Sequence, residues 1–171
     1  MSDYAKIVTI NQFKAIKARK DLGIIGCTSG GYDPIHPGHM SSIIDSKLFC
    51  DTLVVVVNGD WFLTDKKGKP FQDLKTRCQI VSCVRGVDYV VPFEIENDNS
   101  VCKALFRLRP DIFLKGGDRD NMDDLPEGKV CDKLGIKVLT QVGWDKRWSS
   151  SDFLGDWESF CLRTNKKGWL R

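Results

Sequence analysis

The sequence predicts an α/β protein: a Rossmann-like, doubly wound parallel sheet of about five strands with helices on both faces. Three observations lead there. Apolar, strand-like runs alternate with amphipathic helical stretches along the chain. One run, Thr52-Leu53-Val54-Val55-Val56-Val57, is continuously apolar, as a strand covered on both faces has to be. Polar, glycine-bearing loops follow three of the runs, at residues 28–39, 58–70 and 115–120, and a serine-rich helix start at 148–151 makes a fourth element. In such sheets ligands bind where loops gather at the carboxyl ends of the strands.

Thr9-Ile10-Asn11-Gln12 has the form of a capping box, so an N-terminal helix is expected to run to about residue 20. Residues 22–27 read as the first strand, ending in a glycine turn. A helix follows from 37 to about 49, with Pro37 in its first turn and Met40, Ile43, Ile44 and Leu48 as its apolar face. The apolar run at 52–57 is the second strand. Residues 60–72 read as a lysine- and glycine-bearing loop leading to a helix at 73–84. A short strand is expected at 87–93 and a helix at 99–108, stopped at Arg109-Pro110 because the residue before proline disfavours the α conformation. Residues 112–115 form a strand and 126–134 a helix closed by Gly135. Residues 136–142 are the fifth strand. Ser150 or Ser151 caps a last helix whose apolar face carries Phe153, Leu154, Trp157, Phe160 and Cys161. The stretch 164–171 reads as a loose basic tail.

A chain of 171 residues is long enough for one domain with a full core, and residues 1–171 are read as one. With 42% hydrophobic and 29% charged residues the composition is that of a globular domain, not a disordered or coiled-coil chain. The net charge of +3 suits an anionic small substrate and is too small to argue for nucleic acid. There are seven cysteines, an odd number with no C-x-x-C spacing. They read as free, mostly buried thiols of a reducing compartment, with no zinc site, and Cys78 and Cys83 would both face the core from one helix. No run of 18 apolar residues and no apolar leader is present, so a cytoplasmic protein without a membrane span is expected.

The only two histidines sit three residues apart in His36-Pro37-Gly38-His39, after Thr28-Ser29-Gly30-Gly31-Tyr32-Asp33. A strand, a glycine turn and imidazoles at a helix start form a phosphate-handling arrangement, with backbone N–H groups and the helix terminus facing the anion. His36 and His39 would stabilise charge developing on a phosphate, with a metal-binding or helix-capping pair as the alternative. Gly30, Gly31 and the amides around Tyr32 would cradle phosphate, and Gly38 would let the helix start come close. Asp33 would either orient an acceptor or hold its own loop in an Asx turn. Lys66, Lys67 and Lys69 form a basic cluster, in which Lys67 is the candidate to neutralise a triphosphate. Arg77 would clamp a phosphate bidentately, or pair with Asp73 four residues before it. Lys115-Gly116-Gly117-Asp118 would meet a base and ribose, or be a plain turn. Ser149, Ser150 and Ser151 would combine capping with contacts to the outer phosphates.

These segments resemble a known family. Gly30-Gly31-Tyr32-Asp33-Pro34-Ile35-His36-Pro37-Gly38-His39 is similar to the signature of the cytidylyltransferase-like nucleotidyltransferases. Val56-Val57-Asn58-Gly59-Asp60, Lys67-Gly68-Lys69-Pro70 with Arg77, and Leu108-Arg109-Pro110-Asp111 through Lys115-Gly116-Gly117-Asp118 resemble the heptose-phosphate adenylyltransferase domain. The likeness spans about residues 8–162. Trp144 stands where glycerol-phosphate enzymes carry an arginine, and Trp148-Ser149-Ser150-Ser151 replaces the family's usual Ile-Ser-Thr-Thr type motif. The resemblance implies transfer of a nucleotide from a nucleoside triphosphate, ATP favoured, to a sugar phosphate such as heptose 1-phosphate, with pyrophosphate leaving. His36, His39, Lys67 and Arg77 would be catalytic. Thr28, Ser29, Gly30, Gly31, Tyr32, Gly38, Lys115, Gly116, Gly117, Asp118 and Ser149 to Ser151 would bind nucleotide, and Asp33, Asp60 and Arg77 the acceptor. Mg²⁺ would arrive on the triphosphate, with no metal cage in the protein. Glycerol-3-phosphate cytidylyltransferase is the next reading, then pantetheine-phosphate or nicotinamide-mononucleotide adenylyltransferase. A catalytically idle nucleotide-binding module is the alternative of another class. Family members often form homodimers, and apolar surface at Trp61 and Phe62 would support one.

Overall fold

The structure, a computed structural model, describes residues 4–96, 100–116, 126–145 and 147–164. Six strands form one sheet: β1 (Lys6–Ile7), β2 (Ile25–Gly30), β3 (Thr52–Asn58), β4 (Tyr89–Phe93), β5 (Ile112–Leu114) and β6 (Lys137–Leu139). The order is β1-β4-β3-β2-β5-β6, and every pairing is parallel. The helices are α1 (Ile10–Lys17), α2 (Pro37–Ser46), α3 (Asp60–Lys67), α4 (Leu74–Ser82), α5 (Cys102–Leu108), α6 (Pro126–Leu134) and α7 (Ser150–Thr164).

The run of β3 is buried at all seven positions, as its composition predicts. Its residues divide between two cores. Val54 and Val56 join α1, α5 and α6 around Phe13, Leu105, Phe113 and Cys131. Val55 and Val57 point the other way, to Ile43 of α2 and Val81 of α4. The period of two in side-chain direction thus makes both layers of the sandwich. After β2 the chain moves outward through β3 and β4, then returns to β5 on the other side of β2. The crevice between β2 and β5 is the reversal point of the strand order, where such folds bind ligands.

Thr9 caps α1 with the expected box, its side chain accepting from Gln12 N while Gln12 accepts from Thr9 N. The sheet has six strands instead of five. β1 is two exposed residues long, and its pairing with β4 supplies the register that two residues cannot signal themselves. β2 begins at Ile25 and runs through Gly30, so Thr28, Ser29 and Gly30 are strand and the turn starts at Gly31. The expected loop at 60–72 is half helix: Asp60–Lys67 is α3. Its N-terminus is capped from a distance, with the Glu94 carboxylate accepting from Asp60 N at 2.6 Å and Trp61 N at 3.0 Å. Gly59 makes that possible, because a Cβ there would lie 2.1 Å from Glu94 Oε2. The cap of the last helix is Ser149, whose Oγ accepts from Asp152 N at 3.3 Å, one residue earlier than expected.

The apolar stripe of α7 is present, yet it buries no residue: Trp157 is 57% exposed and Phe153 42%. Trp61 and Phe62, where apolar surface was expected, are half-buried. Cys78 faces the core as expected, whereas Cys83 is the exposed C-cap of α4. All seven cysteines are free. Gly117, Asp118 and the stretch 165–171 lie outside the described residues. No helix among the described residues is long and apolar enough to cross a membrane.

Candidate active site

A cavity of about 400 Å³ opens at the carboxyl ends of β2, β3 and β5. Its floor is the end of β2 and the turn after it, Thr28 to Asp33. The start of α2 supplies one wall, with His36, Gly38 and His39. The end of α3 brings Lys66 and Lys67, the end of β5 brings Lys115 and Gly116, and Ser149, Ser150 and Ser151 close the rim. These residues are separated by up to 123 positions along the chain. They meet because every contributing loop leaves the same edge of the sheet.

His36 is the N-cap of α2, and its Nδ1 accepts from His39 N at 3.3 Å. With Nδ1 accepting, the neutral ring carries its proton on Nε2. The two imidazoles stack at 3.6 Å between centroids, 18° from parallel. Tyr32 meets His39 edge-on at 5.1 Å, and Phe153 meets His36 edge-on at 6.1 Å. Burial, then the neighbouring His36 and Lys67, push the His39 pKa down to about 3. Burial also lowers that of His36. The pair is therefore neutral at physiological pH. It can offer N–H groups and carries no standing positive charge. Gly38 makes room for it, because a Cβ there would sit 3.2 Å from the His36 ring. Tyr32 takes a left-handed backbone conformation, φ +53°, and its buried ring packs beneath Gly30, where a Cβ would be 3.0 Å away.

Lys67 is half-buried and donates to the backbone carbonyl of Asp33. Burial lowers its pKa, against the opposing pull of Asp33. Being in the last turn of a helix, it is held at a defined place on the cavity wall. The Asp33 carboxylate is engaged by a remote loop, the one between α3 and α4: Oδ2 accepts from Phe71 N and Oδ1 from Gln72 N, both at 2.8 Å. Neither expected role is the one seen: the carboxylate makes no Asx turn in its own loop and instead fixes the distant 71–72 backbone. Ser150 Oγ donates to Pro34 O at 2.8 Å, tying the start of α7 to the histidine loop. Gly116 lies against α2 so closely that a Cβ would fall 2.4 Å from Ser42 Oγ.

Arg77 corrects the sequence reading. It is fully buried and does not line the cavity. Nε donates to Gln72 O at 3.0 Å, Nη1 to Gly31 O at 2.7 Å and Asn58 O at 2.6 Å, and Nη2 to Asp60 Oδ1 at 2.7 Å. Four hydrogen bonds tie the guanidinium to the turn after β2, the end of β3, the start of α3 and the entry to α4. It is a brace beneath the site and neither a phosphate clamp nor the partner of Asp73, which caps α4 through Thr76 N. Asp60 is likewise occupied by Arg77.

Among the described residues, three buried side-chain polar atoms lack a partner: His39 Nδ1, Asn58 Oδ1 and Gln72 Oε1. His39 and Asn58 both line the cavity. A polar atom withdrawn from water without a partner costs about 1–3 kcal/mol, a cost that a partner would relieve. The sequence reading did not select several lining residues: Ser42, Phe62, Val101, Glu127 and Arg147. Arg147 had a signal, a cation two positions before the serine run. The others had none, because a lone valine or glutamate at a helix start reads as ordinary packing or dipole complement.

The model of the cytidylyltransferase-like family matches residues 27–148. The bifunctional protein HldE of Nitrobacter hamburgensis is 35% identical over 130 residues, which is 74% of this chain and 26% of that protein. HldE of Nitrosococcus oceani is 36% identical over 103 residues, 59% of this chain and 21% of that protein. The chain spans about a quarter of the length of these relatives. Among solved structures, the lipopolysaccharide core biosynthesis protein of Thermoplasma volcanium superposes with a TM-score of 0.61 at 29% identity, over 72% of this chain and 99% of that one. The pantoate-beta-alanine ligase of Francisella tularensis superposes at 0.63 with 18% identity, over 88% of this chain and 73% of that one, which is a likeness of fold. The chain belongs to the cytidylyltransferase-like family and is a nucleotidyltransferase domain of it.

Proposed function

We propose that this member of the cytidylyltransferase-like family joins the nucleotide part of a nucleoside triphosphate, ATP by preference, to a sugar phosphate such as heptose 1-phosphate. An oxygen of the acceptor phosphate forms a bond to the α-phosphorus, in line with the bond to pyrophosphate that breaks. Charge builds on the oxygens of the α-phosphate as this happens, and little covalent work falls to the protein. The observation that carries the reading is the stacked, neutral imidazole pair at the N-terminus of α2, inside the cavity at the switch point. A neutral donor fixed in place is desolvated in advance and strengthens its bond as the phosphate gains charge. The positive end of α2 adds to the same field. Lys67 would leave the Asp33 carbonyl for a phosphate oxygen, and Ser150 and Ser151 would meet the outer phosphates.

Magnesium would come bound to the triphosphate. Among the described residues no three His, Cys, Asp or Glu side chains converge on a metal position, and the Asp33 carboxylate in the cavity is engaged by two amides. The ion would neutralise phosphate charge and keep most of its waters. The sugar-phosphate acceptor is supported by the identity to HldE and by the likeness to a lipopolysaccharide core biosynthesis protein. Free thiols throughout fit the reducing, nucleotide-rich cytoplasm as the place of the reaction.

Pyrophosphate release, measured with ATP, CTP, GTP and UTP against heptose 1-phosphate, other sugar 1-phosphates and glycerol 3-phosphate, tests this. Turnover with ATP and a sugar 1-phosphate is the expected result. Turnover only with CTP and glycerol 3-phosphate would move the assignment to the polyol branch. ATP binding without turnover on any acceptor would make the domain a binding module.

A further inference from the structure

Glu127 stands in the first turn of α6 and is only 7% exposed, yet it lines the cavity. Its carboxylate receives no hydrogen bond and no ion pair from any described residue. A carboxylate in the cavity wall is a hydrogen-bond acceptor available to whatever fills the cavity. Val101, at the start of α5, and Lys115 and Gly116, at the end of β5, line the same cavity. Val101, α5 and α6 belong to the core layer on one face of the sheet. His36 and His39 open α2, which packs on the opposite face through Ile43. A ligand whose phosphates lie at the histidines and that fills the cavity crosses the sheet edge between β2 and β5. Its far end then reaches the α5–α6 side. On that side Val101 gives the cavity an apolar wall and Glu127 a carboxylate.

We propose that Glu127 selects the nucleobase by accepting a hydrogen bond from its exocyclic amino group, with Val101 against the flat face of the ring. The inference rests on the nucleotidyltransferase reading and deepens it. An ionised carboxylate has no proton to offer, so it favours a ring edge that presents N–H and disfavours one that presents a keto oxygen. The 6-amino group of adenine meets that demand, whereas a purine without a 6-substituent offers the carboxylate no donor. Sites built around a hydrogen bond discriminate for this reason, because the penalty falls on the orphaned protein group.

The test is equilibrium binding, by calorimetry without acceptor, of ATP and of purine riboside triphosphate, which differs from ATP only in lacking the 6-amino group. The wild-type domain is expected to bind ATP about 10- to 100-fold more tightly. Glu127→Ala should reduce the preference to about threefold or less, mainly by weakening ATP binding. Glu127→Gln keeps the side-chain volume and a neutral acceptor and should retain part of the preference, which separates recognition from packing. Thermal unfolding of each variant checks that the domain is folded. Equal affinity for the two triphosphates in the wild-type domain overturns the proposal while leaving the nucleotidyltransferase reading intact. So does loss of affinity for 2′- or 3′-deoxy-ATP that Glu127→Ala abolishes, since the carboxylate would then be reading the ribose. Absence of binding for every triphosphate would instead strike at the nucleotidyltransferase reading itself.

Discussion

Replacing His39 by Asn asks whether the imidazole pair is neutral in the free protein. In the folded chain burial, His36 and Lys67 hold the His39 pKa near 3, against 6.5 when unfolded. Between those values the unfolded chain carries a proton that the folded chain refuses. Stability attributable to His39 is therefore complete above about pH 6.5 and drains away as pH falls, by about 1.4 kcal/mol per unit. At pH 5.0 the loss amounts to about 2 kcal/mol, and at pH 7.5 it is close to zero. Any folded midpoint well below pH 5 gives nearly the same result, because the unfolded value sets where the loss begins. Urea denaturation of the wild-type and His39→Asn domains at both pH values, in reducing buffer, measures it. Other titrating groups are common to both proteins and cancel in the difference. The wild-type domain should lose about 2 kcal/mol more than the variant on going from pH 7.5 to 5.0. An identical pH dependence in the two proteins would refute a desolvated, neutral His39. With it would go the claim that the pair acts as preorganised neutral donors.

His39→Ala should lower turnover by about 10²- to 10³-fold while the fold persists at neutral pH, checked by pyrophosphate release and circular dichroism. Lys67→Ala should raise the ATP concentration needed for half-saturation about tenfold or more, since a charge-assisted bond is lost; if Lys66→Ala alone does this, the neighbouring lysine is the phosphate ligand. Arg77→Leu should destabilise the domain by about 3–5 kcal/mol, because three carbonyls and the Asp60 carboxylate lose a buried partner. A variant of unchanged stability but lost activity would restore the phosphate clamp. Ser149→Ala should cost about 1 kcal/mol, confined to α7, and hydrogen exchange should accelerate there alone because that helix buries no residue.

Much of this molecule was legible because it rests on local rules. The valine run of β3 declared a sheet covered on both sides, and Thr9 with Gln12 declared the start of α1. The stretch 28–39 stood out through its glycines and its two imidazoles, and Thr28 to Asp33, His36, Gly38 and His39 all line the cavity. What could not be read was whether a charged side chain faces a ligand or the protein. Arg77 and Asp33 looked like site residues, and both turn out to serve backbone groups of distant loops. Glu127 looked like a helix-start acid and proves to line the cavity. Helix α3 was missed because its cap, Glu94, lies more than thirty residues downstream, and no local window contains it.

By itself the amino-acid order determined the layering of the domain, the edge of the sheet where the polar loops gather, and the pairing of the two imidazoles at one helix start. These follow from periodicity, from glycine at tight backbone positions and from residue type, all of which act over a few residues. The tertiary structure alone decided the charge state of the imidazoles, the assignment of Arg77 as a brace, and the arrival of Glu127 at the far end of the cavity. Each of these depends on burial and on partners brought from remote segments. Desolvation and hydrogen-bond saturation are properties of the packed chain and have no local signature.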